Sequence, residues 1–289
     1  MAIGFKFPIK NADETVSTTT ENFFVSDGST SPTSGALFTC GRNSYGSLGL
    51  GDKILRSTPV QVGALTNWKQ TASHQTLAGA VKTDGTLWTF GYNYFGQLGQ
   101  GNTTSVYSSP TQVGNLTNWK QLSTGFYHMV GVKTDGTMWS WGYNVYGQLG
   151  KSNTTNYSSP VQVGSLTTWN LVSSGAYHNG AVKTDGTLWM WGNNTNGQLG
   201  QNETTVSNYS SPVQVGALTN WSQVSCNGWF SAAIKTDGTL WTWGRNASGQ
   251  LGQGDVIHRS SPVQVGALTT WNFLSCGQYH IAEIGRAHV

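Results

Sequence analysis

Apolar and polar positions recur along this chain with a fixed period. From Gln112 to Gly142, VGNLTNW follows a Ser-Ser-Pro turn, and WKQLSTG, YHMVGVK and TMWSWG come after it, each predicted as a short strand. Alternation in TMWSWG puts Trp139 and Trp141 on one face, Met138 and Ser140 on the other. Asp135-Gly136 between the last two runs predicts a hairpin, written as type I′, which asks for positive φ at both central residues. Gly142, Gly147 and Gly150 then punctuate a long connection that ends at Pro160. The glycine of KTDG falls at Gly85, Gly136, Gly186 and Gly238, with spacings of 51, 50 and 52. Leu48, Leu98, Leu149, Leu199 and Leu251 share that period, as do Trp68, Trp119, Trp169, Trp221 and Trp271. Four antiparallel strands per repeat specify a β-propeller blade, so the fold expected is all-β.

Composition supports stacked sheets. Of 289 residues only 9% are charged, whereas about 25% is ordinary, and 13 Trp accompany 11 Tyr and 10 Phe. No single repeat can bury its rings alone, so neighbouring blades must cover them, each ring contributing up to about 4–6 kcal/mol. A net charge of +3 lacks the basic footprint of a nucleic-acid binder, so no nucleic-acid partner is expected. No apolar run approaches a bilayer-spanning length, so no membrane insertion is expected, and the opening MAIGFKFPIKNADETV is not a secretory signal.

GYNYFGQLGQG, GYNVYGQLG and GRNASGQLGQG, together with LSTGFYHMVGVKTDG and LVSSGAYHNGAVKTDG, resemble the regulator of chromosome condensation repeat family from about Gly35 to Ala282. That resemblance implies a propeller, commonly of seven blades, whose repeat and blade are offset so that the ends interlock. Markers for about five blades are present here, so an incomplete ring is expected. The family's activities range from guanine-nucleotide exchange on a small GTPase to interaction modules and a bacterial β-lactamase inhibitor, so the fold alone transfers no function. The repeats carry no long inserted hairpin and no basic tail, and their Asn, Gln, Ser and Thr texture resembles bacterial or phage-encoded members.

Three segments are expected: a leader with degenerate first-blade strands (1–34, including FFVSDG), the repeats (35–282), and a tail (283–289). The tail, EIGRAHV, replaces the expected Val/Ile and KTDG, and back-translates as the start of a common sequencing adapter. Truncation after Ala282 is therefore expected.

Most residues with chemical potential have structural duties. His128, His178 and His280 are equivalent, but Leu77 and Phe230 break any ring, so backbone-bonded histidines are expected and no metal. His74 and His258 lie off that position. Cys40, Cys226 and Cys276 read as core filling. Asp84, Asp135, Asp185 and Asp237 sit where a turn demands Asp-Gly, and GQLGQG lacks the elements of a phosphate loop. No catalytic residue and no cofactor is assigned.

The informative positions are those where the copies differ. After each strand glycine the loops read RNSYG, YNYFG, YNVYG, NNTNG and RNASG. Asn and Gly persist, while Arg42, Tyr45, Tyr92, Tyr94, Phe95, Tyr143, Tyr146 and Arg245 vary around them. Tyr, Arg, Asn and Ser on a rigid scaffold suit a recognition surface, although drift in solvent-facing loops produces the same pattern. A second variable stretch ends in Pro59, Pro110, Pro160, Pro212 and Pro262. Trp229-Phe230, replacing Tyr-His, adds a candidate contact or a blade-packing pair. The function expected is a non-enzymatic scaffold presenting these loops to a protein or glycan partner, in a phage or bacterial surface structure. The alternative is exchange-factor-like regulation of a small GTPase.

Overall fold

The computed structural model describes residues 34–203 and 207–285, so the FFVSDG arm and residues 286–289 lie outside it. Strands and turns account for the described chain. β1 (Phe38–Gly41) and β2 (Arg56–Gln61) form a two-stranded sheet. The first complete blade is β3 (Trp68–His74), β4 (Leu77–Lys82), β5 (Leu87–Tyr92) and β6 (Val106–Gln112). The second is β7 (Trp119–Thr124), β8 (His128–Lys133), β9 (Met138–Gly142) and β10 (Tyr157–Gln162). The third is β11 (Trp169–Ser174), β12 (His178–Lys183), β13 (Leu188–Gly192) and β14 (Tyr209–Gln214). The fourth is β15 (Trp221–Asn227), β16 (Phe230–Lys235), β17 (Leu240–Gly244) and β18 (Arg259–Gln264). β19 (Trp271–Cys276) and β20 (Ile281–Gly285) pair as a final two-stranded sheet from Cys276↔Ile281 to Trp271↔Gly285, with a register shift between Trp271 and Phe273. Among the described residues the ring is not closed.

Each four-stranded sheet is an antiparallel meander, and its hydrophobic positions join the next blade rather than its own. One core cluster unites Leu77, Leu87 and Leu98 of the first blade with Trp119, Leu122 and Trp141 of the second. Trp139 packs on that cluster, whereas Met138 joins the opposite one with Trp169 and Trp191, as the alternation predicts. The third and fourth blades meet the same way through Leu188, Met190, Trp221 and Trp243. Side-chain amides stitch the first strands together: Gln70 accepts from Leu122 N at 2.9 Å and donates to Leu122 O at 2.7 Å. Gln121 does the same with Val172, at 3.1 Å each way.

Three local expectations are corrected. VGNLTNW is a connection, and the stretch ending in proline is the fourth strand, at the edge of the blade. Pro160 is tolerated there because register skips between Tyr157↔Gly142 and Val161↔Ser140, and an edge strand needs no second ladder. The Asp-Gly hairpin has positive φ at Gly136 alone, 76°. It is a three-residue loop in which Gly136 N bonds Lys133 O at 3.0 Å and Lys133 N bonds Thr137 O at 2.9 Å. Cys226 and Cys276 are buried, and burial pushes the Cys226 thiol up to about 12, but Cys40 is exposed because no described blade covers its face.

Candidate functional site at the ring axis

At one end of each complete blade the KTDG hairpin pairs its Asp, Thr and Lys with neighbouring side chains. Asp135 accepts from Thr137 N at 2.9 Å and Thr137 Oγ1 at 2.7 Å, and Thr137 Oγ1 accepts the Trp139 indole N–H at 2.9 Å. Lys133 lies 3.5 Å from the centre of the Trp139 ring and 5.0 Å from that of Trp119. Burial lowers its pKa, against the opposing effect of Asp135. Lys82, Lys183 and Lys235 repeat the sandwich. Beside it, grooves of about 300–470 Å³ recur between blades, lined by paired tryptophans such as Trp119 and Trp139.

The other end of the same strands carries the variable loops. Each loop Asn is a pin. Asn144 Oδ1 accepts from Leu149 N at 2.8 Å, while its Nδ2 donates to Asn153 O at 3.0 Å. Asn43, Asn93, Asn194 and Asn246 hold Leu48, Leu98, Leu199 and Leu251 in the same way. Gln97 and Gln148 brace the loop tips by accepting from Phe95 N at 2.8 Å and Tyr146 N at 2.9 Å. The side chains between these pins are free to differ without altering the backbone.

Those side chains converge with the turns between the first and second strands. Phe126 N bonds Ala176 O, and Ala176 N bonds Gly228 O, which draws successive blades together near the axis. Tyr45 packs on Tyr92 at 5.0 Å between ring centres, Tyr92 on Tyr94 at 6.3 Å, and Tyr94 on Phe95 at 5.1 Å. Phe95 meets Tyr143 at 4.7 Å and Tyr127 at 5.5 Å, and Tyr177 joins Tyr146 at 5.2 Å and Phe126 at 5.3 Å. Phe126 reaches Trp229 at 6.1 Å, and the Arg245 guanidinium lies 5.3 Å from the Trp229 ring and 5.8 Å from Tyr279. One continuous aromatic face therefore spans the described blades.

Eight of the nine predicted positions belong to it: Tyr45, Tyr92, Tyr94, Phe95, Tyr143, Tyr146, Trp229 and Arg245. Arg42 stands apart, donating to Ser44 at 3.1 Å. Phe230 is fully buried, so the Trp229-Phe230 pair divides between surface and core. Phe126, Tyr127 and Tyr177 are central and were not singled out from sequence. Their signal was positional, since Tyr127 and Tyr177 occupy the place of Trp229 just before the repeated histidine.

His128 and His178 lie buried beneath this face, each reaching a side chain of the next blade, and His178 also meets the backbone of Phe230. Asn179 Nδ2 donates to Gln148 O at 2.8 Å, so its Oδ1 faces His128 Nε2 at 2.9 Å and the imidazole proton sits on Nε2. Ser231 Oγ donates to Gln198 O and so accepts from His178 Nε2 at 3.0 Å. His74 is part of the same layer, 3.3 Å from Asn227 Oδ1 and 4.4 Å ring to ring from Phe126, a correction to its exclusion from the pattern. A compensation explains the broken histidine ring. A Cβ on Gly175 would lie 2.2 Å from His178 Cε1, so that position stays Gly wherever the imidazole folds over it. Where Leu77 or Phe230 replaces the histidine, His74 or Asn227 occupies the vacated glycine position. Burial lowers His74 and His128 from 6.5 to about 4 and His178 to about 3, so all three are neutral near pH 7. Among the described residues no group of three or more His, Cys, Asp or Glu could hold a metal ion, and no helix is long and apolar enough to cross a membrane.

The sequence matches the RCC1-like domain over residues 27–282. The chain belongs to the RCC1-like domain family. This RCC1-like chain is similar to human WBSCR16, with a TM-score of 0.77, 22% identity, and coverage of 89% of this chain and 69% of that one. It is also similar to Prp20p of Saccharomyces cerevisiae, with a TM-score of 0.73, 19% identity and coverage of 88% and 65%; that structure's description concerns binding to Gsp1p and histones. At such identities the likeness is one of fold. A stretch of 49 residues is 45% identical to the mitochondrial RCC1 domain-containing protein RUG3 of Arabidopsis thaliana, covering 17% of this chain and 11% of that protein.

Proposed function

We propose that this RCC1-like propeller is a non-enzymatic scaffold whose aromatic axial face binds a protein or glycan partner. The observation that carries this reading is the continuous network of aromatic rings on loops whose backbone is independently pinned. Such rings offer large contact area with little conformational entropy to lose, which is how Tyr-rich recognition loops work. Single exposed rings are ordinary on a protein surface, whereas a contiguous patch at one end of a scaffold marks an interaction site. The hairpin end, by contrast, spends its Asp, Thr, Lys and Trp on one another.

The setting we propose is a phage or bacterial surface structure, supported by the weakly charged, Asn- and Thr-rich texture of the chain. Prp20p favours a different reading, guanine-nucleotide exchange on a small GTPase, through likeness of fold. Replacing Tyr94, Tyr127 and Trp229 by Ala together is expected to abolish partner capture while leaving the melting temperature within a few degrees. Faster release of labelled GDP from a small GTPase, untouched by these changes, would replace the scaffold reading with the exchange reading.

A further inference from the structure

We infer that the aromatic face takes a neutral, polyhydroxylated glycan chain, an assignment that rests on reading this face as the partner surface. The tyrosines of the chain fall into two groups. Tyr107, Tyr157 and Tyr209, on the blade edges, hydrogen-bond Asn102, Asn153 and Glu203, and the Tyr279 hydroxyl accepts from Gln278. The seven others, Tyr45 to Tyr177 along the aromatic face, have no hydrogen-bond partner among the described residues, and none of their hydroxyls is sealed from solvent. Every unpaired phenol is on the axial face, where Tyr279 at the margin is the one paired tyrosine.

Covering such a face with a dry, apolar partner would strip water from seven hydroxyls and replace it with nothing. A sugar chain offers hydroxyls at comparable density around its ring edges, and its C–H faces stack on aromatic rings. Phe95, Phe126 and Trp229 lie among the phenols as surfaces without hydroxyls, suited to that stacking.

Charge points the same way. Burial and neighbouring phenols raise Tyr92, Tyr143 and Tyr177, the last to about 12, and no carboxylate or ammonium group contributes to any of the three. Arg245 at one margin has its guanidinium already set over Trp229 and Tyr279. With Arg245 as the one charged group in this aromatic network, the face offers little field to steer or select a charged polymer.

The test is affinity electrophoresis of the full chain in gels containing dextran, soluble starch, a β-1,3-glucan or galactomannan, with alginate as the anionic comparison, at low and high salt. At least one neutral polysaccharide is expected to retard the protein, equally at both salt levels. Tyr127→Ala and Trp229→Ala are expected to weaken that retardation by about tenfold. Tyr143→Phe and Tyr177→Phe, which keep the rings and the fold, are expected to weaken it by about threefold each, with unchanged melting temperature. No retardation by any neutral polysaccharide, retardation by alginate alone that vanishes with salt, or Phe variants that bind like the parent would each overturn the assignment. A photo-reactive residue at position 94 that cross-links a protein while every glycan fails would overturn the glycan and leave the scaffold reading standing. Failure of both would remove both.

Discussion

Two ends of the same strands follow opposite rules. β8 runs from the aromatic face at His128 to the hairpin at Lys133, six residues that separate variable from invariant sequence. At the hairpin end KTDG recurs because its side chains hold one another: Asp to Thr, Thr to Trp, Lys between two indoles. At the axial end only Asn, Gln and Gly recur, since they alone fix the backbone, and the remaining positions are open to substitution. Invariance across internal copies therefore marks structural saturation here, and variation marks the surface that is available for work.

Acid should separate the two ends most strongly. The folded protein keeps His74, His128 and His178 neutral, with values near 4, 4 and 3, while the unfolded chain takes up protons near 6.5. Their contribution is complete above 6.5 and is lost as pH falls toward 4, because the unfolded state then binds more protons. The hairpin aspartates are held below 3.8 chiefly by Thr hydrogen bonds, so their contribution persists to lower pH. Hydrogen exchange followed from pH 7 to 4 should show the axial turns opening before the hairpins; simultaneous opening would break the contrast.

A change at the saturated end should come next in size. Gly136→Ala would place Cβ 2.0 Å from Thr167 O at a φ of 76°, so a loss of about 3 kcal/mol or more is expected in denaturant melts. The axial glycine should behave differently. Gly175→Ala alone is expected to cost about 1–3 kcal/mol, and His178→Leu in the same chain should restore part of it, recreating the first blade's combination of a side chain there with Leu77. An additive double mutant would contradict the compensation.

The smallest pair sharpens the loop rule. Asn144→Ala leaves Leu149 N unpaired and is expected to cost about 1–3 kcal/mol, whereas Val145→Ser, one residue away and 51% exposed, should stay within about 0.5 kcal/mol. Equal losses in thermal melts would mean that the loop backbone depends on more than its pins.

Much of this architecture is legible in the sequence, because a blade repeated four times shows its period and because Trp and Leu markers report burial directly. The fourth strand was hidden since Ser-Ser-Pro reads as a turn, and only a bulged edge position makes it a strand. The hairpin type was misread because Asp-Gly suits two loop lengths, and Thr134 enters the shorter-looking one. At the face, the loop aromatics were visible as variation among copies. Phe126, Tyr127 and Tyr177 are not legible that way, because they lie just before the repeated histidine and outside the variable loops. The partnership of His178 with Gly175 needed coordinates, since it concerns a Cβ that is absent.

The most direct test places a photo-reactive phenylalanine analogue at Tyr94, 60% exposed on the aromatic face, or at Leu116, 48% exposed beside the hairpin of the first blade, in the full chain. The account predicts adducts with the physiological partner from position 94 and none from position 116. Adducts from position 116 alone would place recognition at the Trp-lined grooves and contradict the assignment of the axial face.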